Sequence, residues 1–219
     1  MKKISTVFVV DYSTGLITNQ VRPENKWVLD GEGIATIKKD GTSCIVLSGQ
    51  LYRRFDRKLN KKYDRLFKKV GVDFKVESHM FKELPEGAVA CVESFDPITY
   101  HWPHWVPVVK DNPADKYHLE ALDNFVGELK DGQTYELVGP AFGNNNYSLT
   151  THELWEHGIE VVEVERNFDA IKDFVIKMNE EGLVFHNKDG KMAKIRRSDF
   201  AKSKERSWNW KDAESSEFY

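Results

Sequence analysis

Runs of alternating apolar and polar residues, rich in β-branched side chains, predict several short strands. Ile34–Lys38 and Thr42–Leu47 flank Asp40-Gly41, a dipeptide that favours tight turns, so the sequence predicts a β-hairpin there. Gly182–His186 and residues 192–195 flank a Lys-Asp-Gly turn and predict a second hairpin. Further predicted strands are residues 6–10, 88–93, Thr134–Val138 and 159–165.

Three other stretches show the three- and four-residue spacing that is typical of amphipathic helices. Residues 55–70 place apolar side chains at this spacing with basic side chains between them, which predicts a helix that ends before Gly71. Residues 168–179 form a second predicted helix, which Asn167 can cap, and residues 114–126 form a third. Because helices and hairpins alternate irregularly, the predicted class is α+β with antiparallel sheets rather than a doubly wound parallel sheet.

The chain of 219 residues is long enough for one sizeable domain. We assign residues 1–200 to that domain and residues 201–219 to a charged tail, which we expect to be poorly ordered unless Trp208 and Trp210 dock. The formal net charge of −3 excludes a wholly basic nucleic-acid coat protein, so contacts with RNA or DNA would come from local patches. The two most basic patches are residues 53–69 and 188–206.

The two cysteines, Cys44 and Cys91, both lie in apolar, strand-like runs, which predicts reduced core thiols rather than a disulfide framework. No segment has the length of a transmembrane helix, and the N-terminal stretch lacks the apolar core of a secretion signal. We therefore expect a cytoplasmic protein that makes no membrane contact. The sequence gives no sign of a protein partner.

The candidate chemistry centres on Lys38, in the pattern Lys38-Lys39-Asp40-Gly41. A covalent nucleotidyl-transfer enzyme needs a lysine amine on a rigid strand beside a tight turn, because the amine must lie in line with an α-phosphate. The alternative interpretation is an ordinary turn with a solvated lysine. Lys39 is expected on the other face of the strand, in solvent.

Downstream of Lys38, charged side chains lie in or beside predicted strands in an order that suits nucleotide binding. Glu181 could hold Mg²⁺ directly or through water, since that ion prefers oxygen ligands. Lys194 and Arg196 alternate along a strand and therefore share a face. Their charges could offset a triphosphate and lower the pKa of the Lys38 amine from its reference of ~10.4, which an amine nucleophile requires.

The order of these residues resembles motifs I, Ia, III, IV and V of the covalent nucleotidyltransferase superfamily, which holds DNA ligases, RNA ligases and messenger RNA capping enzymes. The matching segments contain Lys38, Arg54, Glu136, Glu181 and Lys194. Within the superfamily, the segments GEGIATIKKDGTSC, LYRRFDRK, HWPHWVPV, YELVGP and EEGLVFHNKDGKMAKIRRSDF resemble small ATP-dependent RNA ligases of phages, bacteria and animals. The resemblance covers residues 27–200, which is nearly the whole chain.

The resemblance implies a role for each matching residue. Lys38 would be the nucleophile that becomes adenylylated, and Asp40 and Gly41 would shape the turn that presents it. Glu136 would contact the ribose of the nucleotide. Glu181 would bind the metal ion. The expected cofactors are ATP and Mg²⁺ or Mn²⁺.

The same resemblance implies phosphate-binding roles for the basic residues. Lys194 would bind the α-phosphate of ATP, and Arg196 would assist at the leaving pyrophosphate, although many members of the superfamily have a second lysine at the position of Arg196. Arg54 would bind a phosphate of ATP or RNA. Arg53 and Arg57 are the less secure candidates for RNA binding.

The implied fold is a nucleotidyltransferase (adenylation) domain of antiparallel sheets flanked by helices, similar to ATP-grasp proteins. About twenty residues follow motif V, too few for the oligonucleotide-binding (OB) domain of DNA ligases and capping enzymes. The implied function is an ATP-dependent RNA ligase that joins 5′-phosphate and 3′-hydroxyl ends through lysyl-AMP and an adenylylated RNA end. Two alternatives stay open: another covalent nucleotidyltransferase, namely a DNA ligase or a capping-type guanylyltransferase, and a catalytically idle RNA-binding domain.

Histidine pairs in the chain offer weaker candidates for a metal site. His101 and His104 have no cysteine or further spaced histidine beside them, which argues against zinc. His152 and His157 lie five positions apart, so they would not share a helix face as zinc ligands do. We therefore predict no zinc site.

Overall fold

A computed structural model of the chain describes residues 3–97 and 99–200. The predicted tail, residues 201–219 with Trp208 and Trp210, lies outside the described residues. The chain divides into two compact units. The outer unit contains Ile4–Gly41 and the chain from Glu136 onward, and the inserted unit contains Thr42–Tyr135.

The described elements are short strands with a few helices, so the predicted α+β class with antiparallel sheets is confirmed. The helices are α1 (Lys26–Leu29), α2 (Lys61–Val70), α3 (Lys116–Asn124) and α4 (Phe168–Lys177). The strands are β1 (Ser5–Thr6), β2 (Phe8–Val10), β3 (Ile17–Val21), β4 (Ile34–Lys38), β5 (Thr42–Leu47), β6 (Gln50–Arg57), β7 (Val89–Ala90), β8 (Trp102–Pro107), β9 (Thr134–Val138), β10 (Glu153–Glu156), β11 (Val161–Val162), β12 (Gly182–His186) and β13 (Met192–Arg196).

The outer unit is built on a five-stranded sheet with the order β1-β13-β12-β4-β11. β12 pairs antiparallel with both β4 and β13, so the predicted hairpin of β12 and β13 is confirmed. Alternate side chains on one face of the sheet are fully buried, and they join α1 and α4 in one hydrophobic core. The buried sheet residues in that core include Ala35, Leu183, Phe185, Ala193 and Ile195.

Helix α4 closes the core of the outer unit. The side-chain oxygen of Asn167 accepts a hydrogen bond from the backbone N–H of Ala170 at 2.9 Å, so the predicted N-cap is confirmed. Ile171 and Val175 are four residues apart and fully buried, as an amphipathic helix requires. The helix ends at Lys177, two residues before the predicted end.

The predicted hairpin of β4 and β5 is wrong, although both strands have the predicted bounds. β4 pairs with β12 and β11, whereas β5 pairs with β6 in a different sheet. The turn at Asp40-Gly41 therefore leads the chain from one sheet to another. At Gly41 a Cβ atom would lie 2.2 Å from the backbone oxygen of Leu137, so only glycine fits this close approach.

In the inserted unit, β6 pairs antiparallel with β5 and β8, and β8 pairs with β7. The predicted helix over residues 55–70 is wrong in its first third, because β6 extends to Arg57 and α2 begins at Lys61. Asn60 caps α2 by accepting a hydrogen bond from the backbone N–H of Tyr63 at 3.3 Å. Residues 55–59 have the apolar spacing of a helix, but the start of this stretch forms a strand because β6 pairs with β8.

Several predicted elements are shorter in the structure. The strands predicted at residues 88–93 and 159–165 contain only β7 and β11, which both lie at the edge of a sheet and pair on one side. The strand predicted at residues 6–10 is split into β1 and β2. Helix α3 covers nine of the thirteen residues predicted at 114–126.

Two predictions that were made from the composition can be compared with the structure. Cys44 is buried and Cys91 is partly buried, and both are free thiols, as predicted. Among the helices of the described residues, none combines the length and the apolar character that crossing a bilayer requires.

Candidate active site

Lys38 is the last residue of β4 and lies on the sheet face opposite the hydrophobic core. The register pairs Lys38 with Gly182 and Gly182 with Arg196. It likewise pairs Thr36 with Val184 and Val184 with Lys194. Because paired residues and residues two apart share a face, Lys38, Lys194 and Arg196 emerge on the same side of the sheet.

Gly182 lies between Lys38 and Arg196 in the register. A Cβ atom at this position would lie 2.1 Å from the backbone oxygen of Ile195, so a side chain here would push β13 away. No side chain therefore separates Lys38 from Arg196. Two strand spacings of about 4.8 Å place their Cα atoms about 10 Å apart, a span that the two long side chains can close around a small anion.

Glu181 contacts the Lys38 amine directly. The Lys38 Nζ donates hydrogen bonds to Glu181 Oε2 and to the backbone oxygen of Lys39, the latter at 3.2 Å. Both side chains of the ion pair are about one-fifth exposed, at 20% and 21%. Burial raises the pKa of Glu181, and the positive charge of Lys38 offsets part of that increase. The sequence named both residues, and the structure brings them together.

Lys194 and Arg196 differ in how firmly they keep their positive charge. Burial lowers the pKa of Lys194 to about 8, with further contributions from the charges of Arg196 and Lys38. Arg196 donates hydrogen bonds to Asp199 Oδ1 from Nη2 at 2.7 Å and from Nε at 3.1 Å. Arg196 is thus a fixed, partly neutralised cation, whereas Lys194 can change its charge near neutral pH.

The turn after Lys38 is held by side chains that the sequence analysis did not identify. The Tyr147 hydroxyl accepts a hydrogen bond from the backbone N–H of Asp40 at 2.8 Å and donates one to Glu180 Oε2 at 3.0 Å. Asn146 Nδ2 donates to Asp40 Oδ2 at 2.9 Å. We call Tyr147, Asn146 and Glu180 the turn clasp. The polar run Gly-Asn-Asn-Asn-Tyr at residues 143–147 is the only local signal that could have pointed to it.

Protonation favours the donor role of Tyr147 in the turn clasp. Burial raises the pKa of the phenol far above its ordinary value, so the hydroxyl keeps its proton. Burial also raises the pKa of Asp40, while Lys38 and Asn146 act in the opposite direction. Asp40 is therefore held by Tyr147 through its backbone and by Asn146 through its carboxylate. Its role in presenting Lys38 stays a prediction.

The prediction that Lys39 lies in solvent is wrong. Only 12% of its side chain is exposed, and its amine contacts Glu160 at 2.9 Å and Glu180 at 2.8 Å. Burial alone would lower the pKa of Lys39, but the hydrogen bonds and charges of the two glutamates outweigh it and raise the pKa. The strand face opposite Lys38 is covered by segments more than one hundred positions away, which the local sequence could not indicate.

Glu136, the predicted ribose contact, is buried on β9. Its Oε2 lies 2.8 Å from His157 Nε2, a partner that the sequence analysis considered only as a rejected zinc ligand. A second histidine, His186, lies 3.0 Å from the Thr36 hydroxyl on the same sheet face as Lys38. Burial lowers the pKa of His186, with a contribution from His157, which favours a neutral imidazole.

The three predicted arginines lie on β6 in the inserted unit. Arg53 donates to Asp115 Oδ1 at 2.5 Å, and this carboxylate is fully buried, so the pair has a structural role. Arg54 donates to Asp56 Oδ1 at 2.9 Å. Arg57 donates to the backbone oxygen of Lys82 at 2.6 Å. The RNA- and phosphate-binding roles of these arginines stay predictions.

Glu181 and Asp40 are the carboxylates that could hold the predicted magnesium ion. In the described residues, no group of three or more His, Cys, Asp or Glu side chains could hold a metal. Mg²⁺ does not require such a cage, because it usually binds one or two carboxylates together with substrate phosphates and water. Glu181 supplies one carboxylate, and Asp40 is close enough to raise the Glu181 pKa through its charge.

The fold and the site together indicate a protein that binds phosphates beside a lysine amine. A mostly antiparallel sheet carries a lysine and two further cations on one face, and a carboxylate contacts the lysine amine, which is an arrangement able to bind phosphates beside an amine. The predicted site residues in the outer unit are Lys38, Asp40, Gly41, Glu136, Glu181, Lys194 and Arg196.

Comparison with known proteins identifies relatives. The chain is 30% identical to RNA ligase 1 of Mus musculus in an alignment that covers 75% of this chain and 65% of the relative. It is 31% identical to RNA ligase 1 of Rattus norvegicus, with 75% and 66% covered, and 30% identical to RNA ligase 1 of Danio rerio, with 74% and 66% covered. No protein-family model matches.

These similarities confirm the resemblance inferred from the sequence motifs. The chain is a homologue of proteins named RNA ligase 1. It spans slightly less than two thirds of the length of the curated relatives it matches.

Proposed function

We propose that this protein is an ATP-dependent RNA ligase that joins 5′-phosphate and 3′-hydroxyl ends of RNA through a lysyl-AMP intermediate. The observation that carries the proposal is the shared sheet face of Lys38, Lys194 and Arg196, with Glu181 at the lysine amine. The similarity to proteins named RNA ligase 1 supports RNA as the substrate class. ATP, the ligated ends and the lysyl-AMP are parts of this proposal.

In the first step, the neutral Lys38 amine attacks the α-phosphate of ATP. A nitrogen–phosphorus bond forms while the bond from the α-phosphorus to the bridging oxygen breaks, and pyrophosphate leaves. Lys194 binds the α-phosphate and Arg196, fixed by Asp199, faces the pyrophosphate. Glu181 would hold Mg²⁺ or Mn²⁺ together with the phosphates, and the ion would supply positive charge to offset the charge on the leaving group.

In the later steps, the AMP moves from Lys38 to the 5′-phosphate of RNA, and a 3′-hydroxyl then displaces the AMP. The first transfer breaks the nitrogen–phosphorus bond and forms a pyrophosphate linkage; the second forms the phosphodiester and releases AMP. Glu136 orients the ribose throughout. Charge neutralisation and positioning supply the catalysis, because no further covalent group is required.

The same proposal covers the fold and the location. In this proposal, residues 1–200 form a nucleotidyltransferase domain that is similar to ATP-grasp proteins. The antiparallel α+β architecture supports the domain assignment. A cytoplasmic location stays a prediction from the two free cysteines and the absence of an apolar span in the sequence.

The test is a joining assay with matched substrates. The protein is incubated with ATP or GTP and with nicked or single-stranded RNA, or with nicked DNA, that carries 5′-phosphate and 3′-hydroxyl ends. We expect ATP-dependent joining of RNA, and joining should disappear in Lys38→Ala. Labelling by GTP alone would indicate a capping-type enzyme, and joining of DNA alone would indicate a DNA ligase. Binding of RNA without any covalent nucleotide would indicate an idle RNA-binding domain.

A further inference from the structure

Helix α2 in the inserted unit carries its basic side chains on one face. Successive residues of an α-helix are rotated by about 100°, so the cations at positions 61, 62, 65, 68 and 69 fall within an arc of about 120°. The row they form is about 12 Å long, from a rise of about 1.5 Å per residue. We call this surface the basic stripe: Lys61, Lys62, Arg65, Lys68 and Lys69.

The basic stripe faces solvent, whereas the other side of α2 holds the helix in place. All five cations are exposed. Phe67 packs edge-on against Tyr100 at 4.8 Å between ring centroids, and Tyr63 packs against His79 at 5.7 Å. The stripe is therefore free for a partner without disturbing the contacts that anchor the helix.

Ion pairs within the protein do not account for the stripe. Lys68 pairs with Asp64 at 2.8 Å. Among the residues that the structure describes, Lys61, Lys62, Arg65 and Lys69 make no ion pair.

The stripe also costs helix stability. Like charges four residues apart, as in Lys61 with Arg65 and Arg65 with Lys69, repel each other. Lys61 and Lys62 lie in the first turn, where the helix dipole disfavours positive charge. Lys68 and Lys69 lie in the last turn, where the helix dipole favours positive charge, so the cost is confined to the first turn and to the like-charge pairs.

The charge distribution of the chain specifies the sign of that partner. Residues 53–69 contain nine Lys and Arg side chains against two Asp, while the whole chain carries a net charge of −3. The positive charge is therefore concentrated in this segment and in residues 188–206 rather than spread evenly along the chain. Such concentration attracts a polyanion and steers its approach.

We propose that the basic stripe of α2 binds the phosphate backbone of the RNA strand that the protein joins. This inference rests on the proposed function for the choice of RNA as the polyanion. Lysine and arginine amines in a straight row match consecutive phosphates and make no contact with base edges, so the grip is independent of sequence. The stripe holds the strand, and the chemistry stays with Lys38 in the outer unit.

The test uses a triple variant, Lys62→Gln/Arg65→Gln/Lys69→Gln, which removes three cations of the stripe that make no ion pair within the described residues. The matched control is Lys110→Gln/Lys116→Gln/Lys177→Gln, which removes three exposed cations outside both basic patches. Binding of a 5′-phosphorylated single-stranded RNA is measured across a series of salt concentrations. Formation of lysyl-AMP from ATP is measured in the absence of RNA. Circular dichroism checks that both variants are folded.

We expect the stripe variant to bind RNA at least about 10-fold more weakly near 0.1 M salt, and its slope of log affinity against log salt to be smaller by about 2. The control variant should retain the wild-type slope, and both should form lysyl-AMP at the wild-type rate. An unchanged slope in the stripe variant, or an equal loss in the control, would overturn the inference. Absence of lysyl-AMP in the wild type would contradict the proposed function, while the salt slopes would still report on the stripe.

Discussion

Lys194 connects the stability of the protein with its predicted chemistry. Its amine is half-buried in β13, and burial lowers its pKa to about 8. The unfolded chain keeps the ordinary value of 10.5, so below pH 8 the folded protein pays for a buried ammonium. Between pH 8 and 10.5 the unfolded state binds more protons, and this cost falls as the pH rises.

Replacing Lys194 by methionine, which has a similar length, should therefore stabilise the protein without ligand. We expect the free energy of unfolding at pH 7 to rise by about 1 to 3 kcal/mol, and the gain to shrink toward zero near pH 10. The same variant should lose lysyl-AMP formation, because the α-phosphate loses a cation. Thermal unfolding at pH 7 and pH 10 measures the first effect. The exposed Lys191→Met is the control, and an equal gain at both pH values would count against a buried ammonium.

For single residues, the sequence identified those that match family motifs, but it did not identify the side chains that contact them. Lys38, Glu181 and Lys194 were all predicted, and the structure puts them on one sheet face or in direct contact. Tyr147 was missed because its contact with Asp40 spans 107 positions of the chain. A local pattern contains no information about such a contact unless a strand register is already known.

Among the elements, the turn clasp is the part most open to a direct test. Tyr147→Phe keeps the ring against Trp155, whose centroid is 4.7 Å away, but removes the hydroxyl that holds the Asp40 backbone. We expect the maximal rate of lysyl-AMP formation to fall about 10- to 100-fold while the KM for ATP changes little, because misplacement of a nucleophile lowers the rate of the chemical step.

Rapid-quench kinetics at varied ATP would separate these two parameters. Tyr12→Phe, at a tyrosine that is 82% exposed, is the matched control. A lower melting temperature with an unchanged maximal rate would mean that Tyr147 has only a structural role. A normal rate and a raised KM would instead indicate that Tyr147 acts on ATP binding.

The strands themselves were predicted better than their pairing. β4 and β5 have the predicted bounds, yet they belong to different sheets. A two-residue Asp-Gly turn favours a hairpin, but Ala35 in β4 must join the core formed with Phe185, and this long-range burial prevails. The hairpin of β12 and β13 was predicted correctly, because there local turn chemistry and core burial agree.

On the scale of the whole molecule, the assignment of residues 1–200 to one catalytic domain is open to test by truncation. Every predicted site residue lies at or before Arg196, and the described elements end before position 201. A chain that ends after Phe200 should therefore form lysyl-AMP at the wild-type rate. The measurement is nucleotide transfer per folded molecule. A folded truncated chain that forms no lysyl-AMP would show that residues 201–219 contribute to the site.

Intact mass is the most direct measurement of the central claim, that Lys38 is a nucleophile toward ATP. The protein is first stripped of bound AMP with pyrophosphate and Mg²⁺, and then incubated with ATP and Mg²⁺. We predict a gain of one AMP, about 329 Da, in the wild type. No gain should occur in Lys38→Ala, or in Lys38→Arg, which keeps a cation beside Glu181. A gain that persists in both variants, or no gain in the wild type, would contradict the account.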